Sequence, residues 1–569
     1  MLWLAVASGL VAQWPVPANA VKINGWFPCH NTIVSPPPLS TSILPPFECA
    51  EIEVPLCHDD ICTSTKTIDL FVKRLLAKSP SIPNKAMWFL QGGPGFASTG
   101  MEEVMKIFNA TTDMSVDMYT LDHRGTGRSN YLECQAAQAF ASGSPGGIQI
   151  DVAEIANCVK DIMFQIDNHT EAFSVTSAAK DVELLINTLN TDKDIEVFVY
   201  GGSYGTYWAE RLMHLAPLKV RGYILDGVVD EKAASFTYWN ANRRYAGIVH
   251  DAKAESRFLK VCEEDEFYSS KLSRMAKAHG GSLVAAIRAL YRRLDSAKSG
   301  TDECADLMQT LSGKDVKPSF GLRDFLGRQI QSDPTRILVP ALLHCIYMCR
   351  SEDVAFLRRY LKISDSGETP GPTPPPEVVN VVMSNAEFLS SLIKASEITK
   401  EDYDMICFLR GNFSDPMCDH LVEANPDIDF SSLKTTLYVY KPNKYWNKYA
   451  AIPSHASVMV INGALDFLTP REWGSAEYDG LQSTTGGTKV LLNFDTGTHC
   501  AGISLQTTSD RTLCGYRAIS SFVLESGDVS RVDVSCMEDL PALDFADLKA
   551  IWRKVLVSTA DALCDSEPQ

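Results

Sequence analysis

The chain is short of positive charge. Its 569 residues include 52 lysines and arginines against 70 aspartates and glutamates, which gives a formal net charge of −18. Such an acidic chain repels the phosphate backbone of a nucleic acid instead of gathering it. The charge balance therefore argues against a nucleic-acid partner.

The sequence also lacks the motifs of metal sites, of redox-active dithiols and of nucleotide-binding loops. The sequence contains no Cys-x-x-Cys pair and no His-Glu-x-x-His, so it gives little support for a zinc site or a redox dithiol. The segment DHRGTGRS at 122–129 lacks the Gly-Lys-Ser/Thr ending of a phosphate-binding loop, and nucleotide binding is not expected. We expect neither a metal nor another cofactor.

Beyond the amino terminus, no long apolar run is present that would suggest a transmembrane helix. Residues 1–20 carry no charged side chain, run apolar over residues 2–12 and end in Ala18-Asn19-Ala20, a small-x-small pattern. They predict a signal peptide cleaved after Ala20, because the apolar run is short for a membrane span of about 20 residues. The expected location is extracellular or, alternatively, the lumen of a vacuole or lysosome.

Cysteine is abundant, with 16 residues that all lie beyond Ala20. An even, scattered set in an exported chain favours disulfides over metal ligation, so up to eight bridges are possible. Asn109, Asn168 and Asn412 each begin an Asn-x-Ser/Thr sequon and are the candidate glycosylation sites.

Strand and helix patterns alternate in two parts of the chain. Apolar strand patterns lie at 86–90, 118–121, 195–200, 223–229, 458–461 and 490–493. Helical spacing of apolar residues occurs at 176–190, 204–215 and 515–525. This alternation predicts an α/β fold with one mostly parallel, doubly wound sheet.

An earlier hairpin and a long insertion complete the predicted organisation. Strand patterns at 51–56 and 67–77 flank a polar turn in which Cys57 and Cys62 are placed to bridge the hairpin. Charged helical stretches and a proline-rich loop at 369–377 separate the two sheet-forming parts and predict an inserted, mainly helical cap. The predicted units are a core part at 21–230, the cap at 231–436 and a second core part at 437–569.

The segment Gly201-Gly202-Ser203-Tyr204-Gly205 matches Gly-x-Ser-x-Gly. It follows the strand pattern IEVFVY and precedes the helical pattern TYWAERLM. A serine nucleophile stands at the tip of such a strand-to-helix turn, and small flanking residues keep the turn free of clashes. An ordinary glycine-rich turn is the alternative interpretation, and the flanking strand and helix favour the nucleophile.

A serine nucleophile needs a base and an acid, which follow it in the order Ser, Asp or Glu, His in folds of this kind. Asp466 lies just beyond a late strand pattern, and His499 lies 33 residues further, after the next strand. We predict the triad Ser203, Asp466 and His499. Asp495 and Asp226 remain alternatives for the acid.

An earlier turn, Gln91-Gly92-Gly93-Pro94-Gly95, also follows an apolar strand pattern. A tetrahedral intermediate needs two backbone N–H donors. The amides of Gly93 and Tyr204 are the predicted oxyanion-hole donors.

Several ordered motifs together resemble the prolyl and tripeptidyl aminopeptidases, serine peptidases of the α/β-hydrolase fold. The matching segments are QGGPG at 91–95, DHRGTGRS at 122–129, GGSYGT at 201–206, LDGVVD at 225–230, NGALDFLTP at 462–470 and GTH at 497–499. Gln91 stands where the family often has histidine, and LDGVVDE at 225–231 is closer to the tripeptidyl branch.

The resemblance implies an α/β-hydrolase fold and removal of residues or short peptides from a free amino terminus. It carries Ser203, Asp466 and His499 over as the triad, and it implies that carboxylates near the cap bind the α-amine of the peptide. By charge alone the acidic residues Glu263, Glu264 and Glu266 are candidates, and a solvated helix face is the alternative. Peptides with a free amino terminus are the expected substrates.

Two other functions are compatible with the same sequence. A carboxylesterase or lipase of the same fold would use the same triad. A non-catalytic binding protein is the second alternative, although such proteins commonly lose triad residues and this chain has all three.

Overall fold

The computed structural model describes nine segments of the chain, some of them with short gaps. They are residues 21–30, 46–140 without 81, 94 and 135, 144, 154–232, 253–365 without 313–316 and 331–332, 443–445, 448–504 without 485, 513–540, and 542–543. The predicted signal peptide, the proline-rich loop at 369–377 and Asn412 lie outside these residues.

A central β-sheet forms the framework of the described residues. The strands are β1 (Lys22–Ile23), β2 (Phe27–Cys29), β3 (Phe47–Pro55), β4 (Thr67–Leu75), β5 (Lys85–Leu90), β6 (Val116–Leu121), β7 (Glu196–Gly202), β8 (Val220–Asp226), β9 (Ala451–Ile452), β10 (Ser457–Gly463), β11 (Gln482–Ser483) and β12 (Thr488–Phe494). The sheet runs β1-β3-β4-β6-β5-β7-β8-β10-β12, with β2 paired to β3, and β9 and β11 pair separately.

Helices connect the strands and make up most of the described part of the insertion. They are α1 (Met101–Thr111), α2 (Ile155–Gln165), α3 (Val175–Leu189), α4 (Tyr204–Leu215), α5 (Lys253–Glu264), α6 (Glu266–Lys277), α7 (Leu283–Ser296), α8 (Glu303–Ser312), α9 (Pro318–Ile330), α10 (Asp333–Arg336), α11 (Val339–Met348), α12 (Ser351–Asp365), α13 (Arg471–Gly480), α14 (Ala501–Ser504) and α15 (Cys514–Leu524). No helix within the described residues has the length and apolar character needed to cross a bilayer.

The sheet is parallel from β6 to β12 and antiparallel at the β3–β4–β6 end. In β5, Trp88 packs into the apolar cluster on one face, whereas Met87 and Phe89 pack into the cluster on the other. Successive side chains of a strand point to opposite faces of the sheet. A strand that is covered on both faces therefore has a continuous apolar run in its sequence. The predicted doubly wound α/β sheet is confirmed.

The predicted hairpin is also confirmed. β3 pairs antiparallel with β4, and a disulfide between Cys57 and Cys62 bridges the connection. The predicted closing helix corresponds to α15.

The described helices of the insertion share an apolar cluster of their own. Side chains from α5 to α9 and from α11 and α12 pack together in this cluster, with Leu290, Leu326 and Leu357 almost fully buried. The boundaries at 231 and 436 stay predictions, because 233–252 and 366–442 lie outside the described residues.

Disulfides are confirmed within the described residues, although fewer than the maximum of eight can form. Cys262 and Cys500 are free thiols, so the 16 cysteines cannot form eight bridges. Five described disulfides are Cys29–Cys49, Cys57–Cys62, Cys134–Cys158, Cys304–Cys349 and Cys514–Cys536.

Asn109 is fully buried in α1, and its glycosylation stays a prediction. Asn168 is exposed in the turn after α2 and stays a prediction.

Two buried carboxyl groups join α4 to α13. Glu210 accepts a hydrogen bond from Ala450 N at 2.8 Å, and Glu477 accepts one from Glu231 N at 3.2 Å. Burial and then the charge of Glu477 raise the pKa of Glu210 well above its usual range, and burial raises the pKa of Glu477 to about 8. Two adjacent buried carboxylates cannot both ionise cheaply, so the pair retains a proton near neutral pH.

This retained proton predicts that the pair makes the fold less stable as the pH rises. Between about pH 5 and about pH 8 the folded chain binds a proton that the unfolded chain has released, so the pair lowers the free energy of unfolding by up to about 1.4 kcal/mol per pH unit. Glu477→Gln replaces the carboxyl group by an amide, which can donate a hydrogen bond but does not bind or release a proton in this pH range. Urea unfolding across this range should show a flatter pH dependence for the variant than for the wild type.

The matched control is Glu264→Gln on the exposed face of α5, which should leave the slope unchanged. An identical slope in Glu477→Gln and the wild type would contradict the shared proton.

Candidate active site

Ser203 lies at a sharp turn between β7 and α4. Its backbone has φ 56° and ψ −126°, a conformation that is strained for a residue with a side chain. Ser203 N donates to Asp226 O at 2.9 Å, which fixes the turn against the end of β8. A serine held in this way at the carboxyl end of a parallel strand has the geometry of a nucleophile elbow.

The two outer glycines of the motif are required by close backbone contacts. A Cβ at Gly201 would overlap Gly205 O, and a Cβ at Gly205 would overlap Leu90 O. Both glycines therefore allow α4 to begin directly beneath the turn and against the end of β5.

Asp466 and His499 form a hydrogen-bonded pair on two neighbouring loops. His499 Nδ1 lies 2.9 Å from Asp466 Oδ2. The Asp466 side chain is fully buried and that of His499 is 20% exposed. The loops also bind one another, because Leu465 N donates to Gly497 O at 2.9 Å. A buried carboxylate on Nδ1 leaves Nε2 of the imidazole to act as a base.

Thr469 was not singled out by the sequence and contacts both members of this pair. Its hydroxyl donates to Asp466 Oδ2 at 2.7 Å and lies 3.0 Å from His499 Nδ1. The amides of Leu468 and Thr469 each donate to Asp466 Oδ1 at 2.8 Å. These contacts hold the carboxylate in one orientation toward the imidazole.

The two alternative acids have other surroundings. Asp495 is 92% exposed and lies 3.7 Å from Arg471. Asp226 is buried, accepts a hydrogen bond from Tyr200 at 2.8 Å and another from Gly502 N at 3.2 Å, and burial raises its pKa to about 7. Among these three aspartates, Asp466 is the one hydrogen-bonded to His499.

The His499 loop packs onto the elbow. A Cβ at Gly227 would lie 3.2 Å from His499 Cε1 and 3.2 Å from Cys500 Sγ, and one at Gly202 would lie 3.4 Å from the same sulfur. Within the described residues, no hydrogen bond joins the Ser203 hydroxyl to His499. Such contacts often tighten only when substrate binds.

The glycine turn after β5 lies against the nucleophile. A Cβ at Gly92 would stand 2.8 Å from Ser203 Cβ, so this turn approaches as closely as glycine permits. Gly93 has φ 123°, and its N–H donates no hydrogen bond within the described residues. Tyr204 begins α4 beside Ser203. Gly93 and Tyr204 stay the predicted oxyanion donors.

Charges around the base favour its protonated form. Burial opposes a charge on His499, but the adjacent Asp466 carboxylate outweighs this effect and raises the pKa of His499 well above its ordinary value. Burial raises the pKa of the Cys500 thiol, which keeps this neighbouring sulfur neutral. A raised thiol pKa disfavours the thiolate, which is the nucleophilic form of cysteine.

The acidic residues suggested for amine binding lie at the end of α5 and the start of α6. Glu263 and Glu264 are exposed on α5, and Glu264 lies 3.6 Å from Lys260 in an ion pair one helical turn apart. Glu266 begins α6. The solvated helix face is thus the better interpretation of Glu263 and Glu264.

Three groups within the described residues have the spacing of metal ligands. Two of them include disulfide sulfurs, from Cys57–Cys62 and Cys304–Cys349. The third, Glu210, His214 and Glu231, lies on the side of α4, with Arg211 at 3.5 Å from Glu231. None of the three groups includes a residue of the predicted triad.

The parallel sheet, the helices on both of its faces and the serine elbow together define an α/β-hydrolase fold. No protein-family profile and no curated protein matches the chain. Similar solved structures include proline iminopeptidase from Mycobacterium smegmatis, with 11% identity, a TM-score of 0.30 and coverage of 84% of this chain and 98% of that chain.

Two further similar structures are α/β-hydrolase domain-containing protein 10 from mouse and epoxide hydrolase VrEH1 from Vigna radiata. The mouse protein has 11% identity and a TM-score of 0.29, with coverage of 82% of this chain and 96% of that chain. The epoxide hydrolase has 12% identity and a TM-score of 0.28, with coverage of 80% and 94%. With TM-scores this low, the fold assignment rests on the chain's own topology and elbow.

The raised pKa of His499 predicts how activity depends on pH on the acidic side of its optimum. A base must be deprotonated, so activity should rise with pH through a midpoint above the ordinary histidine value of about 6.5. The measurement is kcat/KM against pH for an uncharged ester, because the amine of a peptide substrate would itself titrate. Asp495→Asn, which removes an exposed carboxylate, should leave the midpoint in place. A wild-type midpoint at or below 6.5 would contradict the raised pKa of His499.

Proposed function

We propose that the chain is a secreted serine peptidase that removes short peptides or single residues from free amino termini, closer to the tripeptidyl than to the prolyl aminopeptidases. The observation that carries the proposal is the hydrogen-bonded Asp466–His499 pair, whose histidine loop packs against the strained elbow of Ser203. The preference for amino termini rests on the motif resemblance. The disulfides and the predicted signal peptide support secretion.

In the acylation step, Ser203 Oγ attacks the carbonyl carbon of the scissile bond while His499 Nε2 takes the hydroxyl proton. Asp466 accepts the hydrogen bond from Nδ1–H and stabilises the imidazolium. The amides of Gly93 and Tyr204 donate to the developing oxyanion. His499 then gives its proton to the leaving amine, and the acyl group stays on Ser203.

In the deacylation step, water enters in place of the leaving amine. His499 takes a proton from the water, whose oxygen attacks the acyl carbon, and returns the proton to Ser203 Oγ as the ester bond breaks. The products are the released amino-terminal fragment, with a new carboxylate, and the free serine. His499 carries each transferred proton, and no residue outside the triad is needed for proton transfer.

The test compares matched peptides whose amino termini are free or acetylated, together with a simple ester, and identifies the products by mass. We expect cleavage of the free peptides with release of amino-terminal fragments, most often three residues long. Acetylation removes a charged hydrogen-bonding group, worth about 1.5–3 kcal/mol, so kcat/KM should fall by about tenfold or more.

Ser203→Ala should abolish turnover of all substrates while thermal unfolding is unchanged, and Ser457→Ala at the start of β10 is the matched control that should retain activity. Equal cleavage of free and acetylated peptides would exclude an aminopeptidase, and hydrolysis of the ester alone would favour a carboxylesterase. Retained activity in Ser203→Ala would overturn the proposed nucleophile.

A further inference from the structure

The inserted helices contact both loops that carry the acid and the base. Arg257 of α5 donates from Nε to Ala464 O at 2.7 Å, two residues before Asp466. Arg336 of α10 donates from Nη1 to Thr496 O at 2.6 Å, three residues before His499. Each catalytic loop therefore has one arginine of the insertion bound to its backbone.

Arg257 also contacts the carboxyl-terminal end of the loop that carries Asp466. Its Nη1 donates to Glu472 Oε1 at 3.0 Å, at the beginning of α13. The loop from Ala464 to Glu472 contains both Asp466 and Thr469. A single guanidinium thus bridges the two ends of the segment that orients the carboxylate, which suits the planar, multiply donating side chain of arginine.

Apolar contacts support the same loop from the insertion. Leu465 and Phe467, which flank Asp466, are 1% and 5% exposed and belong to the apolar cluster of the inserted helices. The rings of Phe467 and Phe258 meet edge to face with centroids 6.3 Å apart. With its neighbours anchored in the insertion, Asp466 is directed toward His499.

We propose that Arg257 and Arg336 are positioning residues. Through them the insertion holds the loops of Asp466 and His499 so that the two side chains keep the relative positions needed for catalysis. This inference rests on the proposed serine-hydrolase mechanism and adds a function to the insertion beyond restricting access. Small displacements of catalytic groups are costly, since a misplacement of about 1 Å can lower a rate by about 100-fold.

The experiment uses a small ester, which needs no gate to select it, and the variants Arg257→Met and Arg336→Met. Methionine keeps an unbranched stem but cannot donate a hydrogen bond. We expect kcat to fall by about 10- to 100-fold with KM nearly unchanged. Arg336→Lys, which retains a donor, should recover part of the loss.

The matched control is Arg293→Met. Arg293 donates to Ile346 O at 2.7 Å, entirely within the insertion, so its loss perturbs the inserted helices without touching either catalytic loop. We expect kcat on the ester to stay within about twofold of the wild type. If Arg257→Met and Arg336→Met behave like Arg293→Met on the ester, the insertion only governs access and the inference is overturned.

A second readout does not depend on turnover. The proton on His499 Nδ1, shared with Asp466, should give a low-field NMR resonance in the wild type that weakens or shifts in Arg257→Met and Arg336→Met but not in Arg293→Met. An unchanged resonance in all three variants would overturn the positioning role. If the wild type shows the resonance but hydrolyses no ester or peptide, the proposed function fails while the positioning role is still judged by NMR.

Discussion

The backbone turn at Ser203 is the constraint on which the rest of the site depends. A side-chain-bearing residue at φ 56° and ψ −126° persists only when the surrounding structure over-determines it. Here the determinants are the tight contacts that exclude a side chain at Gly201 and Gly205, together with the hydrogen bond from Ser203 N to β8. Because β7 and α4 are both buried, relaxing the turn would separate packed layers.

The other groups of the site are arranged around this turn by the ends of parallel strands. β5 delivers the glycine turn, β10 the acid loop and β12 the histidine loop, and neighbouring parallel strands bring their carboxyl ends to one edge of the sheet. Thr469 and the loop amides then fix the direction of Asp466. The chemistry thus depends on a rigid sheet edge with supported loops, as a preorganised site requires.

The parts of this site that could be predicted from the sequence are those with a local signature. A strand, a glycine-flanked serine and a helix are adjacent in the chain, and a carboxylate or a histidine just after a late strand is equally local, so Ser203, Asp466 and His499 could be proposed without coordinates. The Cys57–Cys62 bridge could be predicted for the same reason, because its two cysteines flank one hairpin turn.

What the sequence could not provide depends on contacts between distant segments. The burial of Asn109 follows from which face of α1 meets the sheet, and a sequon alone carries no such information. The free thiols of Cys262 and Cys500 follow from where the other cysteines lie. Thr469 was within a recognised motif, and the spacing of a hydroxyl three residues after the acid could have suggested its contact with Asp466.

The most direct test of the account is to treat the folded protein with a fluorophosphonate and to locate the adduct by mass mapping. We predict a single adduct on the peptide that contains Ser203, formed rapidly in the wild type and lost when His499 is replaced by glutamine. An adduct on another residue, such as Cys500, or no adduct on the folded wild-type protein, would contradict the assignment of Ser203 as the activated nucleophile.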